Sequence, residues 1–144
     1  MAFIIICSDV LDTRQIESSV STHANGAVCT FVGQIRNHSR GKDVEYIEYQ
    51  AHVALAEKEL NRLAVEAETR WPVTVAISHR LGRVNVGEAS VVVSVGSPHR
   101  SEAFAACQYC IDTLKVTVPI WKREVGPDGA IWIEGDESVR AGTD

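Results

Sequence analysis

The sequence has no Gly-x-x-x-x-Gly-Lys-Ser/Thr loop and no His-Glu-x-x-His pair, which removes the usual phosphate cradle of nucleotide enzymes and the helix-borne zinc pair. Its five histidines do not recur at ligand spacing, so neither a metal nor a cofactor is expected. Basic residues are outnumbered: a formal charge of −5 excludes a general cationic surface for nucleic acid. Long apolar runs are missing too. The opening Ala-Phe-Ile-Ile-Ile-Cys stretch has no positive residue before it and is too short for a secretory leader or a membrane span. A cytoplasmic protein without membrane contact is therefore expected, and its four cysteines should be reduced thiols. No internal period or low-complexity tract suggests a repeat architecture.

What remains is an ordinary globular composition, 45% hydrophobic and 23% charged in 144 residues, enough for one core without staples. One domain over residues 1–135 is expected, with a flexible tail at 136–144. Phe3–Cys7 reads as a buried strand. Asp12, with Gln15 at the third helical position, caps a short helix to about residue 22. Residues 26–35 are apolar on both faces and read as a central strand covered on both sides. They run into a polar, cation-rich loop at 36–43, and residues 44–50 then alternate as a half-exposed strand.

Val53, Ala56, Leu60, Leu63, Ala64 and Ala67 recur at helical spacing until Pro72 stops the helix. A strand at 73–78, a turn or short hairpin at 81–88 and a β-branched strand at 89–95 follow. Ser97 as N-cap and Pro98 at the first helical position open a second long helix. Ala103, Phe104, Cys107, Cys110, Ile111 and Leu114 form its expected buried stripe, which assigns the Cys107-x-x-Cys110 pair to packing over redox or metal chemistry. Gly126-Pro-Asp-Gly129 turns a C-terminal β-hairpin of 120–125 and 130–134. The order predicts an α+β fold: a mixed or antiparallel sheet with two long helices and one short helix packed against it.

The chemistry gathers around Asp112-Thr-Leu-Lys-Val-Thr-Val-Pro-Ile-Trp-Lys-Arg-Glu124. Pro119 cannot continue a helix and pushes Val118 toward extended geometry. A helix carrying Lys115 must end before it, and a strand carrying Lys122 can begin after it, so two ammonium groups can converge from different elements. The plain alternative is that lysines at element ends solubilise edges and complement a helix C-terminus. His99 and Arg100 fall in the first turn of the second long helix, where free N–H groups and the helix dipole suit phosphate or carboxylate; capping and acid pairing are the competing roles. Arg36 directly follows a buried strand, a common place for ligand contacts in α/β proteins. An acidic chain with cations at its element ends fits a small anionic ligand.

The segments at 26–36 (Gly-Ala-Val-Cys-Thr-Phe-Val-Gly-Gln-Ile-Arg), 79–88 (His-Arg-Leu-Gly-Arg-Val-Asn-Val-Gly-Glu), 97–100 (Ser-Pro-His-Arg) and 112–124 together resemble the large, catalytic subunit of molybdopterin synthase. The resemblance spans about residues 26–132, with four motifs in the family's order. It implies a sulfurtransferase of molybdenum cofactor biosynthesis that adds two sulfurs to cyclic pyranopterin monophosphate, forming the dithiolene of molybdopterin. Each sulfur would arrive as the thiocarboxylate at the C-terminal Gly-Gly tail of a small ubiquitin-like subunit. A dimer of large subunits within a heterotetramer is implied. So are Lys115 and Lys122 as catalytic lysines, and Arg36, His99, Arg100, Lys115, Lys122, Arg123 and Glu124 as the substrate pocket. Gln50 and His52 stand where the family pattern suggests glutamate and tyrosine, a departure expected to affect local packing or the dimer contact. The rival class is a module that senses an anionic metabolite without converting it. Such a module uses Arg36, His99 and Arg100 but has no need of two lysines around Pro119.

Overall fold

The computed structural model describes residues 3–133. Strand β1 (Phe3–Cys7) leads to helix α1 (Thr13–Val20), strand β2 (Ala27–Gln34) and a small ribbon of β3 (His38–Ser39) and β4 (Lys42–Asp43). Then come β5 (Tyr46–Ala51), α2 (Val53–Arg70), β6 (Thr74–Arg80), β7 (Gly82–Asn85), β8 (Ala89–Ser97), α3 (Arg100–Thr117), β9 (Ile120–Gly126) and β10 (Gly129–Ile133). The arrangement is α+β, with the strands divided between two four-stranded sheets. The first, ordered β1-β6-β8-β2, is mixed: β1 runs parallel to β6 and the other neighbours are antiparallel. The second, ordered β10-β9-β5-β7, is antiparallel throughout. No helix among the described residues is long and apolar enough to cross a membrane.

Local chemistry sets most element ends. Asp12 accepts a hydrogen bond from the Gln15 N–H at 3.2 Å, the cap that starts α1. Trp71 ends α2 immediately before Pro72. The Leu60, Leu63, Ala64 and Ala67 stripe of α2 packs with Cys107, Cys110 and Leu114 of α3 onto Val75, Ile77, Val91, Val93 and Val95 of the first sheet. Each fully buried Leu, Ile or Val there contributes about 1.5–3 kcal/mol. Burial raises both thiols of the Cys107-x-x-Cys110 pair to about 12, with Cys29 adding to the effect at Cys107, so both stay protonated core residues as their place on the helix face suggests. Helix α1 covers the other face of the sheet, setting Ile16 and Val20 against Ala76 and Val92. A third cluster, Ile35, Val44, Ile47, Tyr49 and Val84, backs the second sheet.

Several expectations change in detail. Residues 26–35 form an edge strand, not a central one. Helices lie on both of its faces, which explains the doubly apolar pattern, but face burial carries no information about a neighbouring strand, and Val28 and Phe31 remain exposed. Helix α3 starts at Arg100 with His99 as cap residue, since the β2–β8 ladder extends through Ser97 and keeps it in the strand. Ser97 Oγ instead accepts the His99 N–H at 3.4 Å. Phe104 is 64% exposed: it flanks the stripe of Ala103, Ala106, Cys107, Cys110 and Leu114 without joining it. The loop at 36–43 contains the β3–β4 ribbon, turned by Arg40 (φ 52°) and Gly41 (φ 76°). Residues 81–88 supply β7, which pairs with β5 across sequence, so no local hairpin forms. Gln50 is exposed on β5, and His52 caps α2 by accepting the Leu55 N–H at 3.2 Å, so the His52 departure has a local helix-capping role. Glu134 and the expected tail at 136–144 lie outside the described residues.

Candidate active site

Pro119 does what its covalent structure requires. The Val118 N–H closes the last turn of α3 onto the Leu114 carbonyl at 3.2 Å, and the chain resumes as β9 at Ile120. Lys115 thus projects from the last helical turn and Lys122 from an inward position of β9, where Tyr49 of β5 and Ile133 of β10 flank it across the sheet. Both lysines are half-buried. They line a cavity of about 500 Å³ together with Arg36, His38, Ser39, Glu124 and the end of β2. Glu124 lies 3.9 Å from Arg40, so the acid in this cavity already has a cationic neighbour from the ribbon. The remaining charged groups, Arg36, Lys115 and Lys122, are cationic, so a chain of negative net charge gathers cations here.

A second cavity, of about 280 Å³, adjoins the first. Leu114, Val116, Val118, Pro119, Ile120, Trp121 and Ile133 line it beside Tyr49 and the two lysines. Val116 and Trp121 are 68% and 52% exposed, so the groove opens onto the surface through apolar side chains. Lys115, Lys122 and Tyr49 line both cavities.

Of the residues singled out from sequence, Arg36, Lys115, Lys122 and Glu124 meet in one cavity. Arg123 does not. Strand alternation turns it to the outer face of the second sheet, where it binds Glu48 and lies over the Trp132 ring at 5.9 Å from its centre. His99 and Arg100 are also apart from it within one chain. They are exposed at the first turn of α3, and fifteen residues of helix place Arg100 about 22 Å from Lys115.

Two buried residues escaped the sequence reading. Tyr49 alternates in phase with Ile47, which marks it as inward, but only the β5–β9 pairing reveals that inward means opposite Lys122. His79, at the end of β6, is 3% exposed and meets the Tyr49 ring edge-to-face with centres 5.1 Å apart. Its Nδ1–H donates to the Arg80 carbonyl at 2.8 Å, which leaves Nε2 as the unprotonated nitrogen. Burial lowers its pKa to about 4; the bond to Arg80 opposes this and the charge of Lys115 reinforces it.

Fold and cavity define a class: an α+β protein with a cation-lined cavity between two lysines of different elements. The profile of the MoaE protein family matches residues 6–117, and the chain belongs to that family, the molybdopterin synthase catalytic subunits of molybdenum cofactor biosynthesis. The molybdopterin synthase catalytic subunit of Taeniopygia guttata is 40% identical over 144 residues, covering 99% of this chain and 93% of its own length. The subunit of the same name from Nostoc sp. is 45% identical over 126 residues, covering 85% and 76%. Among solved structures, molybdopterin synthase from Staphylococcus aureus superposes with a TM-score of 0.86 at 35% identity over 92% of this chain and 96% of the other. The complex of subunits 1 and 2 of the molybdopterin-converting factor from Helicobacter pylori shares the fold, with a TM-score of 0.74 at 23% identity over 92% and 90%.

Proposed function

We propose that this chain is a sulfurtransferase that moves sulfur from the C-terminal thiocarboxylate of a small ubiquitin-like carrier to cyclic pyranopterin monophosphate, twice per molybdopterin. The observation that carries the reading is the junction of two cavities at Lys115 and Lys122. The cationic cavity suits the pterin and its cyclic phosphate, with Arg36 as an anion ligand. The smaller groove suits an extended Gly-Gly tail, and its surface-exposed Val116 and Trp121 suit the carrier's body. The Helicobacter pylori relative's two-subunit complex supports a partner of this kind.

At the junction the tail terminus and the pterin come within reach of both amines. Lys115 would shuttle protons as sulfur attacks the pterin, or take up the carrier's acyl group for one step; Lys122 would stabilise the developing oxyanion or thiolate. His99 and Arg100 join the pocket in a dimer. Strand β2 is an edge: its Ala27 end lies beside Ser97 and the start of α3, and its Gln34 end beside the cationic cavity. A twofold axis across the middle of this edge exchanges those ends, bringing one copy's His99 and Arg100 to the other copy's Arg36. Exposed Val28 and Phe31 give that edge an apolar contact. Two such catalytic chains with a carrier at each outer groove make the heterotetramer.

The test is a single-turnover assay with thiocarboxylated carrier and cyclic pyranopterin monophosphate, using wild type and Lys115→Ala. Dithiolene product from wild type, and loss of about 100-fold or more in Lys115→Ala with pterin affinity kept, is the expected outcome. Absence of product from wild type despite bound pterin and carrier would overturn catalysis and leave a binding module.

A further inference from the structure

Tyr49 has a position that the transfer chemistry does not itself require. It is 6% exposed, yet it lines both cavities. Its direct neighbour across the sheet is Lys122, and residues opposite each other on adjacent strands hold their Cβ atoms about 5 Å apart. The ring therefore stands beside Lys122, where the two cavities meet. His79 packs edge-to-face against it from β6 of the other sheet. The imidazole is itself fixed, since its Nδ1–H is held by the Arg80 carbonyl and its surroundings exclude solvent. A large, buried aromatic packed against His79 thus lies at the wall common to the two cavities.

Resting on the sulfur-transfer reading, we propose that the Tyr49 ring, braced by His79, is a positioning residue. It forms the partition that aligns the carrier's thiocarboxylate with the pterin and keeps water of the wider cavity off the acyl carbon until the sulfur–pterin bond has formed. Two fates compete at that carbon. In productive transfer the sulfur bonds to a pterin carbon in place of an oxygen substituent, and water then cleaves the acyl C–S bond of the resulting thioester, leaving sulfur on the pterin and a carboxylate on the carrier. In the wasteful one, water adds to the acyl carbon first, hydrosulfide leaves, and the carrier ends as a plain carboxylate with no sulfur delivered. Excluding water and fixing the attack geometry both favour the first fate. The neutral His79 suits the task, because an imidazolium beside Lys115 would disturb the charges that the site needs; its low pKa keeps it neutral at ordinary working pH.

The partition is tested by coupling: the ratio of dithiolene sulfur formed to thiocarboxylate consumed, in single turnovers of the full chain with carrier and cyclic pyranopterin monophosphate. Tyr49→Ala should lower that ratio about 10-fold, with hydrosulfide released in its place. Tyr49→Phe should restore coupling, because the ring and not the hydroxyl forms the wall. His79→Ala should uncouple in the same direction by freeing the ring. If alanine at 49 fails to fold, Tyr49→Val removes the ring while keeping a residue suited to β5. Full coupling in a folded Tyr49→Ala or Tyr49→Val protein, with a productive wild type, overturns the partition alone. Uncoupling in Tyr49→Phe as severe as in alanine overturns it as well, by assigning the role to the hydroxyl. A wild type that makes no dithiolene overturns the sulfur-transfer reading and the partition together.

Discussion

Acidification from pH 7 to pH 5 perturbs His79 in the unfolded chain and leaves it untouched in the folded one. Its pKa falls from the ordinary 6.5 to about 4 on folding, chiefly because burial penalises the imidazolium, with the Arg80 carbonyl opposing and Lys115 adding to the effect. Between those values the unfolded chain binds a proton that the folded chain refuses. Stability from this residue is therefore complete above about pH 6.5 and declines as pH falls toward 4. The full displacement amounts to about 3 kcal/mol, of which about 2 kcal/mol is lost by pH 5. Denaturant titrations at pH 7, 6 and 5 on wild type and His79→Asn measure this, since asparagine can still donate to the Arg80 carbonyl but cannot titrate. Wild type should lose about 2 kcal/mol more than the variant between pH 7 and 5. Glu88, held below the usual carboxylate range by the Asn85 N–H and by Arg80, also loses stability in acid, but it does so equally in both proteins and cancels from the difference. Parallel pH profiles for the two proteins would refute the reasoning.

Two further substitutions test the packing and the local signals. Gly96→Ala places a methyl carbon 2.1 Å from the Val20 carbonyl oxygen and 2.7 Å from Asn25 Nδ2, so the end of α1 must withdraw from β8; a loss of about 3 kcal/mol in thermal or denaturant unfolding is expected. Asp12→Ala removes the cap at the Gln15 N–H and should cost about 1 kcal/mol, with turnover unchanged because α1 lies away from both cavities.

Much of the candidate site could be read along the chain because it depends on neighbours a few residues away. Proline geometry alone separates a helix bearing Lys115 from a strand bearing Lys122, and the structure puts α3 and β9 on either side of Pro119. Strand alternation also turns Arg123 away from Lys122, a local signal that outweighs adjacency in sequence. Arg36 was legible as a residue just beyond a buried strand; the free edge of that strand was not.

The sequence by itself determined the α2 stripe, the Asp12 cap, the 126–129 turn, the α+β class and, through four ordered motifs, the family. These follow from torsional preferences, capping bonds and hydrophobic period, all satisfied within a turn or two of chain. Only the tertiary structure decided that Tyr49 stands opposite Lys122, that His79 braces it from another sheet, and that β2 is a sheet edge. Those relations depend on which strands pair and which faces pack across long stretches of chain, and side-chain pattern fixes the faces of a strand without naming its neighbours.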